Sequence, residues 1–326
     1  MVEHSDGAGN DTIAPGCFIL GTDANPNAVG RHFVDAFETV PFAEDAAYLD
    51  EIDALVERYE IDVVLPQTTR ETMVLAGHPK AAVSERAKEA NDKVFLLDES
   101  DQEDLNTPDW SVSSGWDFAS MCKVLGYPSN PIVVKPPVSN GSRGVRVLTP
   151  DPITTDEYLN ERPGNPQISL ERFLEIVKDD MPRLLVMEYL PGREWTVDCF
   201  RGERMFVAVP RIRHAIRSGI TFETEVVRHP ELEDQCRRLA EALDLKYAFG
   251  FQFKEDADGV PNILECNPRI QGTMVASLFA GVNIPWLAVR ERSGDLPDGV
   301  PEIKPARFQR FWGGVGTNGT DRVEVI

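Results

Sequence analysis

The stretch 249–268, FGFQFKEDADGVPNILECNP, gathers the side chains best suited to chemistry. It predicts two short strands joined by a turn at Asp258-Gly259, a dipeptide favoured in tight hairpin turns. With that turn as centre, Gln252 lies opposite Glu265. Side chains alternate along a strand, so Phe249, Phe251 and Phe253 point one way, with Leu264 and Cys266 beside them. Gln252, Glu265 and Asn267 share the other face. Opposed Cβ atoms lie about 5 Å apart, so a carboxylate and two amide oxygens converge. Hard oxygen donors suit Mg²⁺ when phosphates and water complete its shell. A half-exposed hairpin whose polar face meets water would look the same, and the hairpin alone leaves both readings open.

Other segments carry candidate groups. Lys135 ends the apolar run IVVK and is followed by a loop containing Ser139, Asn140, Gly141, Ser142 and Gly144. Backbone N–H groups and hydroxyls in such a loop can cradle phosphate oxygens, with Lys135 and Arg143 as added charges. A strand follows, not a helix, which separates the loop from that of P-loop NTPases. An ordinary glycine-rich hairpin loop is the alternative. In LLVMEYLPGREWTVDCF, 184–200, an apolar strand runs into Glu188, Tyr189 and Leu190 and turns at Pro191-Gly192. Backbone at 188–190 can hydrogen-bond an adenine, and Glu194 can take ribose hydroxyls; two solvated acids at a turn share this pattern. Lys93, in NDKVF, is expected at the end of a helix, where the dipole favours a cation. Arg211, Arg213, His214 and Arg217 cluster in PRIRHAIRSGI, after a strand. They suit a carboxylate or acyl phosphate, or else pair with Glu223 and Glu225 at the surface. No Ser/His/Asp or Cys/His set stands out, and Cys266 is expected to be structural.

The elements that must position these groups fall into two patterns. Residues 18–20 predict a short buried strand, 44–60 a helix, 61–66 a buried strand, and 83–91 and 118–125 short helices. Alternating strands and helices describe a small α/β domain with a parallel sheet. No Gly-rich strand–turn–helix opens it, so it is assigned no dinucleotide site. From residue 132 the pattern is mixed and mostly antiparallel. Strands are expected at 132–135, 145–148, 184–189, 194–200 and 205–210, and helices at 168–178, 231–245 and from 273 to Pro285. Residues 1–16 and the tail from 291 read as weakly ordered.

Bulk properties narrow the function classes. The 326 residues are 42% hydrophobic, enough for two or three real cores. No apolar run spans a bilayer and no signal peptide is visible at the start. Five scattered cysteines form no CxxC pair, which argues against a disulfide framework or a zinc site. The net charge of -21 repels nucleic acid and anionic lipid. With 9 Lys against 24 Arg and 54 acids, the chain reads as a salt-adapted cytoplasmic protein, halophilic in character. In such a chain an ATP site must create its own positive patch.

Taken in order, DK at Lys93, VVKP with SNGSRG, MEYLPGRE, Gln252 and ECNPR resemble the ATP-grasp superfamily. The likeness is nearest to the carbamoyl-phosphate-synthase large-subunit type and its carboxylate–amine ligase relatives, and spans roughly 17–290. GTDANP and DVVLPQTTRET also resemble that type's first domain. The resemblance implies an ATP-grasp fold, α/β and α+β, preceded by a shortened Rossmann-like α/β domain. It implies a poorly packed start at 1–16, that first domain at 17–90, an ATP-grasp region at 91–290 and a C-terminal extension at 291–326. Within the ATP-grasp region a lid subdomain at 118–190 would precede a second subdomain at 191–290. By resemblance Lys93 and Lys135 hold ATP phosphates, the 139–144 loop closes over them, and Glu188, Tyr189, Leu190 and Glu194 take the nucleoside. Gln252, Glu265 and Asn267 ligate Mg²⁺, or Mn²⁺, and Arg269 faces the transferred phosphoryl group. Arg211, Arg213 and Arg217 are the substrate candidates. The implied reaction joins a small carboxylate to an amine through an acyl phosphate. Phosphorylation of bicarbonate or carbamate and a non-catalytic ATP-binding module are the alternatives. Small molecules are the expected partners, with no nucleic acid or membrane.

Overall fold

A computed structural model describes residues 16–113, 118–139, 141, 143–150, 155, 159, 166–178, 181–217, 219–296, 299–318 and 321–325. The expected weakly ordered start therefore lies almost wholly outside the described residues. The front of the chain holds a parallel pair, β1 (Leu20–Asp23) and β2 (Ala36–Thr39), with Leu20 opposite Ala36. Helices α1 (Tyr48–Arg58), α2 (Thr69–Leu75) and α3 (Ala87–Asn91) follow. Tyr48, Ile52 and Leu55 recur at helical spacing and bury one face of α1 against Leu75 and Val83. Helix α4 (Lys93–Gln102) then leads into two larger sheets.

The smaller sheet contains β3 (Trp110–Ser113), β4 (Ile132–Lys135), β5 (Arg146–Leu148), β6 (Gln167–Ile168) and β7 (Leu184–Glu188), in the order β3-β7-β4-β5-β6. Ile132, Val134, Leu184 and Val186 pack on α5 (Phe118–Val124) and α6 (Leu170–Val177). Strand alternation turns Val133 and Lys135 to the opposite side. The larger sheet contains β8 (Glu194–Arg201), β9 (Phe206–Arg217), β10 (Ile220–Val226), β11 (Tyr247–Glu255), β12 (Pro261–Asn267) and β13 (Ala306–Gln309). Its order is β12-β11-β8-β9-β10-β13, and neighbouring strands are antiparallel. Helix α7 (Pro230–Ala242) joins α4 behind it, closing a core of Phe249, Phe251, Phe253, Ile263, Cys266, Leu96, Leu97 and Leu239. Helices α8 (Val275–Phe279) and α9 (Ile284–Ser293) cover Phe200, Val207, Val209 and Ala248. A hairpin of β14 (Val315–Asn318) and β15 (Asp321–Val325) follows β13.

The structure corrects several expectations. The first strand begins at Leu20, and Phe18 and Ile19 are half exposed because a two-stranded sheet cannot cover them. Residues 61–66 form no strand; only an isolated bridge joins Val64 to Ala81. Lys93 opens a helix instead of ending one, since Asp92 caps α4 by accepting from the Val94 and Phe95 N–H groups. Pro285 sits in the first turn of α9 instead of stopping a helix, because that turn needs no N–H from it. β9 runs on to Arg217, so the basic cluster lies on a strand and not after it. The expected weakly ordered tail supplies β13, an edge strand of the larger sheet.

The hairpin register holds by a different route. The strands run to Glu255 and Pro261, so five residues form the loop, not a two-residue turn. A bulge at Leu264 then shifts the pairing by one and restores Gln252 opposite Glu265. It also puts Ile263 in the core with Cys266, while Leu264 lines the cleft described below. Phe251 is fully buried, with ring centroids 5.7 Å from Phe249 and 6.5 Å from Phe253. Phe251→Ala is expected to lower unfolding free energy by about 3–5 kcal/mol, measured as a lowered midpoint in urea.

Candidate functional site

A cleft of about 890 Å³ lies between the two sheets. Val133, Lys135, Val147 and Met187 line it from the smaller sheet, and Glu194, Thr196, Gln252, Glu265 and Asn267 from the larger. Antiparallel register builds the floor in rows. Glu265, Gln252, Thr196 and Arg211 sit opposite one another on β12, β11, β8 and β9. Asn267, Gly250, Asp198 and Val209 form the adjacent row. Alternation thus sends Phe249, Phe251 and Phe253 into the core and Gln252 and Lys254 toward the cleft.

Two buried lysines lie beside Glu265. Lys93 Nζ lies 3.7 Å from Glu265 Oε2 and donates to the Ser139 carbonyl at 3.1 Å. Its own N–H donates to the Pro137 carbonyl, tying α4 to the loop after β4. Lys135 Nζ donates to the Leu264 carbonyl at 3.3 Å, the group exposed by the bulge. Only 4% of Lys93 and 6% of Lys135 are accessible. Burial pushes the Lys135 ammonium down to about 8, with Lys93 adding to the drop and Glu265 and Glu194 opposing it. The dipole explanation for Lys93 fails, because a cation at a helix N-terminus is disfavoured.

The basic cluster splits across β9. Arg211 Nε and Nη2 donate to Asp198 at 2.9 and 3.3 Å, and Ser277 donates to the same carboxylate at 2.8 Å. Arg213 Nη1 donates to Glu194 and, at 3.1 Å, to Gln252 Oε1. Its Nε and Nη2 donate to Thr221 Oγ1 and the Gly219 carbonyl at 2.8 and 2.7 Å. Burial pulls the Arg213 guanidinium below the usual arginine range, against the pull of Glu194. An extra residue on β9 at His214 reverses the alternation beyond it. Ile216 therefore lines the cleft, while the expected substrate contact Arg217 lies outside its lining and stacks 4.7 Å over Phe222. His214 pairs with Glu225, the surface alternative foreseen for the cluster.

Arg269 reaches the cleft and donates to Thr69 Oγ1 at 2.9 Å, linking the floor to α2. Burial lowers its guanidinium too, opposed by Glu265. Beside it lies a residue with no forewarning in the motif, Gln271. Its Nε2 is buried and, like Arg211 Nη1, has no hydrogen-bond partner among the described residues. A Cβ at position 250 would fall 1.6 Å from that nitrogen, so Gly250 makes room for the Gln271 amide. Two unpartnered buried donors thus line the end of the cleft near Asp198. Arg310, from the tail, braces the loop by donating to the Gly272 carbonyl at 2.7 Å.

At the opposite end Glu188, Tyr189 and Leu190 line the cleft as expected, joined by Lys254, whose Nζ lies 5.7 Å over the Tyr189 ring. The Glu188 carboxylate accepts from the Asp109 N–H at 2.9 Å, so it holds β7 to the start of β3. Ser139 and Gly141 reach the cleft, and Asn140 and Ser142 lie outside the described residues. Gly144 has φ of +76° and packs on Pro136, where a Cβ would fall 2.7 Å from the ring; it shapes the loop without lining the cleft. Gln67, Lys254, Gln271 and Thr273 are lining residues that sequence reasoning missed. Alternation along β11 could have flagged Lys254, two residues from Gln252, but nothing marked the loop residues.

Solved structures share this fold. Biotin carboxylase from Campylobacter jejuni superposes with a TM-score of 0.66 at 18% identity, over 87% of this chain and 67% of that one. N5-carboxyaminoimidazole synthetase from Staphylococcus aureus, complexed with ADP, gives 0.68 at 15%, over 90% and 76%. The fold is ATP-grasp. An L-amino acid ligase from Bacillus licheniformis gives 0.57 at 16%, over 79% and 63%. A family model described as ATP-grasp in the biosynthetic pathway with Ter operon matches residues 180–311, which include β13 and Arg310. No curated protein sequence matches the chain. Among the described residues no helix is long and apolar enough to cross a membrane.

If Lys135 holds a phosphate, its lowered pKa makes that binding pH-dependent: the cationic form is lost as pH rises through 8, so binding would take up a proton there. ATP affinity is expected to fall about tenfold between pH 7 and pH 9, measured by calorimetry, with a flatter profile in Lys135→Arg.

Proposed function

We propose that the chain is an ATP- and Mg²⁺-dependent ligase that activates a small carboxylate as an acyl phosphate and joins it to an amine. One observation carries the reading. Two buried lysines, one at the unfavourable end of a helix, lie beside Glu265 in the cleft, with Lys93 3.7 Å from it and Glu194, the other acid acting on Lys135, already paired with Arg213. Buried cations need compensating anions, and ATP phosphates supply them. Glu265 and Asn267 present a half-buried carboxylate and an amide on adjacent cleft-facing positions of β12. That donor set fits Mg²⁺, or Mn²⁺, with phosphate oxygens and water filling the shell. The metal would neutralise charge on the transferred phosphoryl group.

The chain's own residues do the rest by positioning. Lys93 and Lys135 would hold the phosphates, and Glu188, Tyr189 and Leu190 the adenine, while Glu194, held by Arg213, borders the ribose. Arg211 Nη1 and Gln271 Nε2 would donate to the carboxylate, oriented by Asp198 and Gly250. A carboxylate oxygen attacks the γ-phosphorus and ADP leaves. The amine then attacks the acyl carbon, releasing phosphate and a proton. Arg269 would face the transferred group. The acidic, arginine-rich composition supports a salt-adapted cytoplasmic setting.

Phosphate release with ATP, Mg²⁺ and a panel of amino acids and other small carboxylates and amines tests the reading. Carboxylate-dependent release supports it. Bicarbonate-dependent release alone would favour carbamoyl-phosphate-type chemistry, and tight ATP binding without release a non-catalytic module. Glu265→Gln is expected to lower kcat more than about hundredfold with an unchanged urea midpoint; unchanged turnover sinks the metal assignment. Gly250→Ala, which displaces the Gln271 amide, is expected to raise KM for the carboxylate about tenfold while KM for ATP stays within about twofold.

A further inference from the structure

The larger sheet ends on an open edge. β13 pairs with β10 on one side, and among the described residues no strand lies on its other side. We propose that this edge pairs with the same strand of a second copy, antiparallel about a two-fold axis at Phe308, so that the two larger sheets run on as one. The proposal concerns how the chain assembles and does not rest on the ligase reading.

Backbone direction sets which groups are free. The Arg310 N–H donates to the Phe222 carbonyl at 2.7 Å, toward β10. Successive residues of a strand turn their backbone groups to opposite sides. Phe308 therefore faces β10 as well, while the N–H and C=O of Arg307 and Gln309 face outward. No other described segment takes these outward groups. Such a row is a template for another strand unless a lysine, a proline or a bulge blunts it. Here the proline, Pro305, precedes the strand, and β13 meets β10 in unbroken register. Arg307 is charged, but Glu225 answers it at 3.0 Å.

Charge selects the register. Antiparallel pairing of a strand with its own copy is a self-complementary two-fold contact. An axis at Arg307 would set Arg307 opposite Arg307, like charges face to face. An axis at Phe308 sets Arg307 opposite Gln309 of the second copy instead, and each such pair exchanges both of its backbone hydrogen bonds. Gln309 donates to Glu223 at 3.2 Å. Each Arg307 then lies between its own Glu225 and the Gln309–Glu223 pair of the second copy, so every neighbour it meets in that row is neutral or acidic.

Apolar surface agrees with the same axis. Phe308 stacks on Phe279 of α8, with ring centroids 6.0 Å apart, and Phe279 is 62% exposed. An axis at Phe308 joins both Phe279–Phe308 pairs into one aromatic cluster, whereas an axis at Gln309 would part the two Phe308 rings. Phe311 and Trp312, 79% and 74% exposed, follow at the end of the same strand. Large exposed aromatics gathered along an open edge mark a protein interface. The pairing also steadies the end of β13, from which Arg310 reaches the Gly272 carbonyl.

Sedimentation equilibrium in about 1 M KCl, where repulsion between two chains of net charge -21 is screened, tests the assembly. A dimer is expected for the wild type. Gln309→Pro removes an outward N–H, and Phe279→Glu sets like charges across the axis. Each is expected to weaken dimerisation more than about tenfold, while Phe42→Glu, at an exposed site in the front of the chain, leaves it unchanged. Register is read by cross-linking in a Cys17→Ser background, which removes an exposed native thiol. Air oxidation should join Phe308→Cys chains, whose Cα atoms would lie about 4.5 Å apart, and leave Arg307→Cys chains separate. A monomeric wild type would overturn the proposal and leave the edge to a different polypeptide. An assembly larger than a dimer, a dimer that survives both Gln309→Pro and Phe279→Glu, or cross-linking through Arg307→Cys would overturn it too. Because those two substitutions are read by mass alone, a poorly folding Phe308→Cys chain does not remove the test.

Discussion

Lys93 and Lys135 are held almost out of water, with Glu265 the carboxylate nearest them. Most of the cleft follows from that imbalance. A chain with net charge -21 repels polyanions over its surface, so an anion site must be made locally, against low-dielectric walls. Six cationic side chains line the cleft and could do this: Lys93, Lys135, Lys254, Arg211, Arg213 and Arg269. Each is fixed by a named partner, because burying an unpaired charge would cost more than the fold can bear. Asp198 answers Arg211 and Glu194 answers Arg213. Lys93 and Lys135 are left with Glu265 as the near uncommitted acid, and we propose that incoming negative charge is favoured there.

The larger sheet makes such an arrangement possible because its pleat separates two incompatible environments a few ångströms apart. Phe249, Phe251 and Phe253 are sealed under α4 and α7, while Gln252 between them faces the cleft. Three irregularities, at Leu264, His214 and Phe222, interrupt this simple alternation, and two of them re-aim side chains at the cleft. The bulge at Leu264 frees a carbonyl for Lys135 and keeps Glu265 in register with Gln252. The bulge at His214 turns Ile216 inward and Arg217 outward. Both lie beside the cleft, where re-aiming one side chain matters more than an unbroken ladder.

The tail enters the same logic. β13 covers the edge of β10, and Arg310 reaches from its end to the Gly272 carbonyl. That contact fixes the loop carrying Gln271, whose amide occupies the space left by the missing side chain of Gly250. A segment with little internal pattern thereby steadies one wall of the cleft.

Local patterns were legible in the sequence wherever the physics is local. Strand alternation sorted Phe251 from Gln252, apolar runs marked 132–135 and 184–188, and the order of short motifs pointed to the ATP-grasp fold. The polar cluster of Gln252, Glu265 and Asn267 was legible although the turn beneath it was misread, because a later bulge compensated the longer loop. What the sequence could not encode locally was partnership. Whether Lys93 began or ended a helix depended on Asp92 as cap and on a carbonyl of the 136–139 loop. Arg211, Arg213 and Arg217 look alike in the chain, yet Asp198, Glu194 and Phe222 claim them for three different roles. Residue spacing determined which face each side chain could show; tertiary structure alone decided which charges were left unanswered, because desolvation and pairing depend on neighbours brought in from distant parts of the chain.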